Sequence, residues 1–100
     1  MTATLTALAA ATSTPLAGVA FQAYAYFTSI DGTQNRQRFY SLHWQPTLFG
    51  DGALVKTWGR LGTEGRSRTV FWGERRDAQP LIDQLLRRRV QHGYHLVASR

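Results

Sequence analysis

Cysteine is absent from this 100-residue chain. That excludes disulfides, thiolate metal sites and a cysteine nucleophile, and it fits a reducing compartment. Acidic residues are few, six Asp and Glu against twelve Lys and Arg, for a formal net charge of +6. No charged side chain precedes Asp31. The stretch Met1 to Ala20 lacks the basic n-region of a secretory signal, and threonines interrupt its apolar run, so it does not read as a signal peptide. It is also too short and too polar for a membrane span, so no membrane partner and a cytoplasmic location are expected. A flexible Ala/Thr-rich leader over residues 1–19 is expected, followed by one domain over residues 20–100. A chain of this length supports one core and leaves little room for a deep enzyme cleft.

Arginine makes up eleven of the twelve cations, all in the last seventy residues. Its planar fork suits phosphate recognition and stacking, and an excess of this sign points to a polyanionic partner such as nucleic acid. Net charge by itself says nothing of fold or specificity.

Aromatic-rich alternation predicts a strand from Phe21 to Thr28, with Phe21, Ala23, Ala25 and Phe27 on one face. Asp31-Gly32 opens a polar turn through Asn35. A second strand runs from Arg38 to Gln45, with Tyr40, Leu42 and Trp44 sharing a face, and Pro46 ends it. Ala53 to Arg60 and Arg66 to Trp72 follow as strands three and four, joined by Leu61-Gly-Thr-Glu-Gly65. From Asp77 the period changes. Ala78, Leu81, Ile82, Leu85, Leu86 and Val90 form the apolar stripe of an amphipathic helix to about His92. Asp77 is the expected N-cap, which puts Pro80 in the first turn, and Gly93 suits the position just past the end. Tyr94 to Val97 is read as a short edge strand. The expected fold is α+β: an antiparallel sheet of four to five strands with one C-terminal helix packed on it.

Lys56, Trp58 and Arg60 alternate onto one side of the third strand, while Gly59 falls on the other, where a missing Cβ lets another backbone come close. A flat ring flanked by cations suits a base or sugar beside a phosphate. The same spacing also suits a core tryptophan capped by an arginine in a structural salt bridge. Symmetrical pairing about the Leu61–Gly65 loop would set Trp58 opposite Arg68 and Arg60 opposite Arg66. Lys56, Trp58, Arg60, Arg66 and Arg68 would then form one basic surface, whereas a one-residue slip would turn the two arginines away.

Arg38-Phe-Tyr-Ser-Leu, Trp58-Gly-Arg-Leu-Gly-Thr-Glu-Gly-Arg-Ser67 and the Arg-rich helix ending at Gly93-Tyr94 together resemble the WGR domain, over about Arg38 to Val97. That module accompanies the catalytic domain of DNA-dependent poly(ADP-ribose) polymerases and occurs in bacterial proteins; the helix tail Leu85 to Tyr94 is more similar to the bacterial members. In the polymerases it contacts DNA at a strand break, its tryptophan packing on the terminal nucleotide and its arginine linking DNA to neighbouring domains. The resemblance implies that Trp58 stacks, Arg60 contacts phosphate or a partner, and Gly59 holds the turn. A chain of this length has no room for the transferase domain, so a small single module is expected.

Other chemistry finds little support. His92 and His95 straddle a helix end with no third ligand for a metal. No Gly-x-Ser-x-Gly elbow or acid–base pair is evident, and Gly59, Gly62 and Gly65 link strands instead of opening a phosphate-binding helix. Arg87, Arg88 and Arg89 read as a solvated helix end or as additional phosphate contacts. The expectation is a non-enzymatic module without cofactor or metal that binds nucleic acid, DNA in the first place, with its ends or single-stranded tails as the candidate regions, through Trp58, Gly59, Arg60, Lys56, Arg66 and Arg68. The alternative is a protein-interaction module that docks an acidic partner.

Overall fold

A computed structural model of the protein describes residues 21–100, so the leader expected over residues 1–19 lies outside the described residues. Strand β1 spans Tyr24–Asp31, a 3-10 turn Gly32–Gln34, β2 Arg36–Pro46, β3 Gly52–Arg60, β4 Arg66–Gly73, helix α1 Arg75–Gln91 and β5 His95–Ser99. The sheet order is β4-β3-β2-β1-β5, and every neighbouring pair is antiparallel. The α+β architecture is the expected one. No helix among the described residues is long and apolar enough to cross a membrane.

Period-two alternation builds the core side of the sheet. Ala25 and Phe27 of β1, Tyr40, Leu42 and Trp44 of β2, and Leu54 of β3 all point to α1, which returns Ala78, Ile82, Leu85 and Leu86. Burying each large apolar side chain contributes about 1.5–3 kcal/mol relative to exposure. Among the described residues, no helix lies on the opposite side of the sheet.

Several boundaries differ from the sequence reading. β1 begins at Tyr24, not Phe21, because the N–H groups of Gln22, Ala23 and Tyr24 all converge on the Arg100 carbonyl, at 2.9, 2.7 and 2.9 Å. Phe21 packs against the rim of the core under the Arg75 guanidinium, 5.5 Å from its ring centre, while Ala23 is exposed and does not join the buried face. The last strand is His95–Ser99, with Tyr94 buried at the helix–strand junction.

The helix also starts earlier than the Asp77 cap implies. Glu74 is the N-cap and makes no side-chain cap hydrogen bond; its carboxylate pairs with Arg76 at 3.0 Å. Asp77 therefore lies in the first turn, where its charge suits the helix dipole, and Pro80 sits inside the helix in the second turn. There the missing N–H removes one i→i−4 bond. Arg75 compensates by tying the helix start down, donating to the Phe21 carbonyl at 3.2 Å and to Gln79 at 2.7 Å. At the other end Val90 is 44 % exposed and leaves the apolar stripe. Arg89 takes its place, since Ile82, Leu85, Leu86 and Arg89 follow the helical repeat onto the sheet-facing side.

Candidate functional site

β3 is buried at one end and solvated at the other. On its helix-facing side Leu54 is enclosed, Lys56 and Trp58 are half-buried, and Arg60 is exposed. Trp58 packs against the rim of the core with the Lys56 Nζ 5.0 Å from its ring centre. Across the ladder, Arg38 stands opposite Arg60, Tyr40 opposite Trp58 and Leu42 opposite Lys56. The tryptophan is thus partly a core residue, but no structural salt bridge holds the arginine. Among the described residues the only ion pair is Arg76–Glu74, far along the chain from this group.

The hairpin partner supplies two more cations. Arg66 stands opposite Trp58 and Arg68 opposite Lys56, which corrects the expected pairing by two residues. The reason is the turn. The Arg60 carbonyl accepts the Thr63 N–H at 3.1 Å and the Thr63 hydroxyl at 2.7 Å, so Arg60 already belongs to the turn and does not pair with Arg66. A two-residue shift preserves the alternation, so Lys56, Trp58, Arg60, Arg66 and Arg68 still share a side. A bulge is also required: Leu54 pairs with Phe71 and Val55 with Thr69, leaving Val70 as the extra residue. Without it, Arg66 and Arg68 would lie on the side opposite Phe71 and the core.

Gly59 lies on the other side of β3. A Cβ there would meet the Gly65 Cα at 2.7 Å, so the loop backbone rests directly on this glycine. Its place is structural, holding the loop that carries Arg60.

Two cations were missed as site residues in the sequence. Arg38 and Arg36 join Arg60, Gln34, Asn35 and Gln37 around a concavity of about 270 Å³ with no carboxylate in its lining. Strand alternation puts Arg38 on the side of Tyr40, but its meeting with Arg60 depends on the β2–β3 register. Asp31, opposite Arg36, is engaged in the turn: the Thr33 hydroxyl donates to it at 2.7 Å and the Thr33 N–H at 3.0 Å. These bonds, with a smaller contribution from Arg36, hold its carboxyl below the ordinary range.

The arginine run divides. Arg88 is exposed, and Arg87 is half-buried. Arg89 turns inward, its guanidinium 4.6 Å from the Tyr40 ring centre and 5.3 Å from that of Tyr94, with Nε buried. It is a core residue in the manner of a stacked arginine. Burial pushes the Tyr40 phenol up, while the charges of Arg89 and Arg88 oppose that shift. Arg88 and Arg89 therefore lie near Tyr40, the ladder neighbour of Trp58. His92 and His95 are both exposed, and no group of three or more His, Cys, Asp or Glu among the described residues could hold a metal.

Against known families, the model for the WGR domain matches residues 23–100. The chain belongs to the WGR domain family. This family is a binding module generally associated with nucleic acid. An uncharacterized protein of Sinorhizobium fredii, y4dW, is 38 % identical to the WGR chain over 69 residues, covering 69 % of this chain and 34 % of the relative. The chain thus spans about a third of that relative's length. No solved structure matches.

Proposed function

We propose that this WGR domain binds nucleic acid, DNA in the first place, through the side of the sheet that carries Trp58 and Arg60, and that it acts by binding without catalysing a reaction. One observation supports this above the others. Lys56, Arg60, Arg66, Arg68 and Arg38 surround Trp58 on one side of the sheet, and among the described residues no carboxylate is paired to any of them. Unpaired clustered cations repel one another and attract a polyanion, and each phosphate bound releases counterions. Lys56 is on a flexible stem and can leave the Trp58 ring for a phosphate, freeing the ring for a terminal base or sugar. Arg38 and Arg60 flank the concavity and suit a phosphate there, while Arg87 and Arg88 extend the positive surface.

An electrophoretic shift with blunt duplex, nicked duplex, single strand and RNA at two salt concentrations tests this. DNA is expected to bind and to release steeply with salt, and Trp58→Ala is expected to lose about tenfold or more, since base–aromatic stacking contributes about 1–3 kcal/mol. Failure to bind any of the four at low salt contradicts the reading and leaves the acidic protein partner in its place.

A further inference from the structure

α1 covers only one side of the sheet. The other side carries Tyr26, His43, Val55, Thr57 and Thr69 across its centre and Tyr24, the first residue of β1, at its margin. None of the residues that alternate onto this side in β1 to β5 is Asp, Glu, Lys or Arg. Arg100 reaches only its margin, where the guanidinium lies 5.5 Å from the Tyr24 ring centre. Tyr24, Tyr26 and Phe39 form a row of near-parallel rings, with centres 6.5 and 6.0 Å apart and planes 11° and 18° off parallel. The Thr57 and Ser67 hydroxyls satisfy each other at 2.7 Å. At two ends of this side, Ile30 and Trp72 are 64 % and 66 % exposed.

A solvated surface in a protein with eighteen charged side chains would carry some of them. Depletion of charge together with enrichment in tyrosine and tryptophan is the composition of an interface centre. The occupant can be narrowed. A nucleic acid draws most of its affinity from phosphate contacts, and this side offers almost no cation for them. An acidic partner fails for the same reason. A second copy does not. The chain's net charge of +6 sits on the helix-bearing side, the helix and the margins, so two copies meeting through the neutral side keep their basic surfaces outward. The domain is 19 Å through its shortest dimension, and a Debye length at physiological salt is about 8 Å, so the two outward surfaces are screened from each other. At ordinary strand spacing and rise the five-stranded side measures about 25 by 24 Å. Pairing it with a copy buries about 1,200 Å², the small end of specific interfaces.

We propose that a second copy of this chain docks on the helix-free side of the sheet, sheet against sheet about a two-fold axis. The dimer carries one Trp58–Arg60 surface on each outer side. It is therefore bivalent towards any ligand of that surface, so avidity for a long polymer exceeds that of one domain.

Sedimentation equilibrium of the full 100-residue protein, without nucleic acid, tests the dimer independently of the proposed function. From about 1 µM to about 1 mM, a range matched to a small interface, the mass is expected to rise from 11.3 kDa towards twice that value. Thr57→Lys brings two like charges together at the centre of the contact and is expected to weaken association about tenfold or more. Thr69→Lys, at an exposed position on β4, provides the same test should Thr57→Lys fail to fold. Circular dichroism and a thermal melt establish that the variant measured is folded. A single 11.3 kDa species over the whole range overturns the proposal, as does a dimer whose strength is unchanged in both variants.

Discussion

Arg38 and Arg60 stand directly opposite one another on β2 and β3, and neither is paired with a carboxylate among the described residues. Like charges in cross-strand positions destabilise a sheet by about 0.2–1 kcal/mol. The fold therefore holds two cations together at some expense, and an anion between them relieves it. Arg38→Gln is expected to raise the stability of the free protein slightly. Inorganic phosphate is expected to raise the melting temperature of the parent more than that of Arg38→Gln, because a ligand stabilises the state it binds. A thermal melt across a phosphate series checks both. Equal shifts in the two proteins would mean that the pair does not hold the anion.

Arg89 and Arg88 are adjacent in sequence but differ in their surroundings. Arg89 lies between two tyrosine rings, and Arg88 is exposed. Arg89→Ala removes the stacked guanidinium and the packing of its stem, and is expected to destabilise by about 1–3 kcal/mol. Arg88→Ala is expected to stay within about 0.5 kcal/mol of the parent. Urea denaturation of the two variants measures the difference, and similar losses would contradict the inward placement of Arg89.

The Tyr40 hydroxyl is buried and has no hydrogen-bond partner among the described residues. Removing a buried unsatisfied group is neutral or stabilising, so Tyr40→Phe is expected to gain up to about 1–2 kcal/mol at neutral pH. The phenol is also pushed above its ordinary value by burial. Stability associated with that shift is fully present below about pH 10, the unfolded value, and is lost as pH rises through the folded one. Tyr40→Phe is accordingly expected to flatten the alkaline decline, measured as denaturant midpoint against pH. An unchanged decline would assign it to another group.

Much of this was legible in the sequence. The alternation of Tyr40, Leu42 and Trp44 and the three- and four-residue steps from Ala78 to Leu86 contain the two layers, because period alone decides which side is buried. The helix end near His92 and Gly93 was legible, and its start was less so. A strong N-cap residue at Asp77 competed with a contact that no local pattern contains, the Arg75 bond to the Phe21 carbonyl. Arg89 could be counted in the stripe by its spacing, but a charge at a core position is expected to be solvated until Tyr40, from a distant strand, and Tyr94, just past the helix end, are seen around it. The hairpin register depended on Thr63 closing the turn on Arg60, and the side occupied by Arg66 and Arg68 depended on the bulge at Val70. Bulges have no dependable sequence signature, since they answer to the packing of both strands.

Gly65 and Gly62 share the β3–β4 loop and both have positive φ, +73° and +89°. They differ in space. A Cβ on Gly65 would meet the Trp58 carbonyl oxygen and, at 2.7 Å, the Phe39 ring, whereas one on Gly62 would meet nothing within 4 Å. Gly62→Ala is expected to cost about 1 kcal/mol for the left-handed backbone alone. Gly65→Ala adds the steric clash and is expected to cost several-fold more, with disturbance of the Trp58 environment visible in its fluorescence. Chemical denaturation of the pair checks the order, and equal losses would contradict the close packing of the loop on β3.

The proposal that the Trp58–Arg60 side binds nucleic acid is tested most directly by folded Arg60→Ala beside the parent on the same DNA duplex across a salt series. Arg60 is exposed and its side chain makes no hydrogen bond among the described residues, so the variant is expected to keep its melting temperature or raise it slightly. Loss of one phosphate contact should weaken binding and reduce the slope of log K against log salt by about 0.9. Equal affinity and an equal slope in the two proteins would contradict the account.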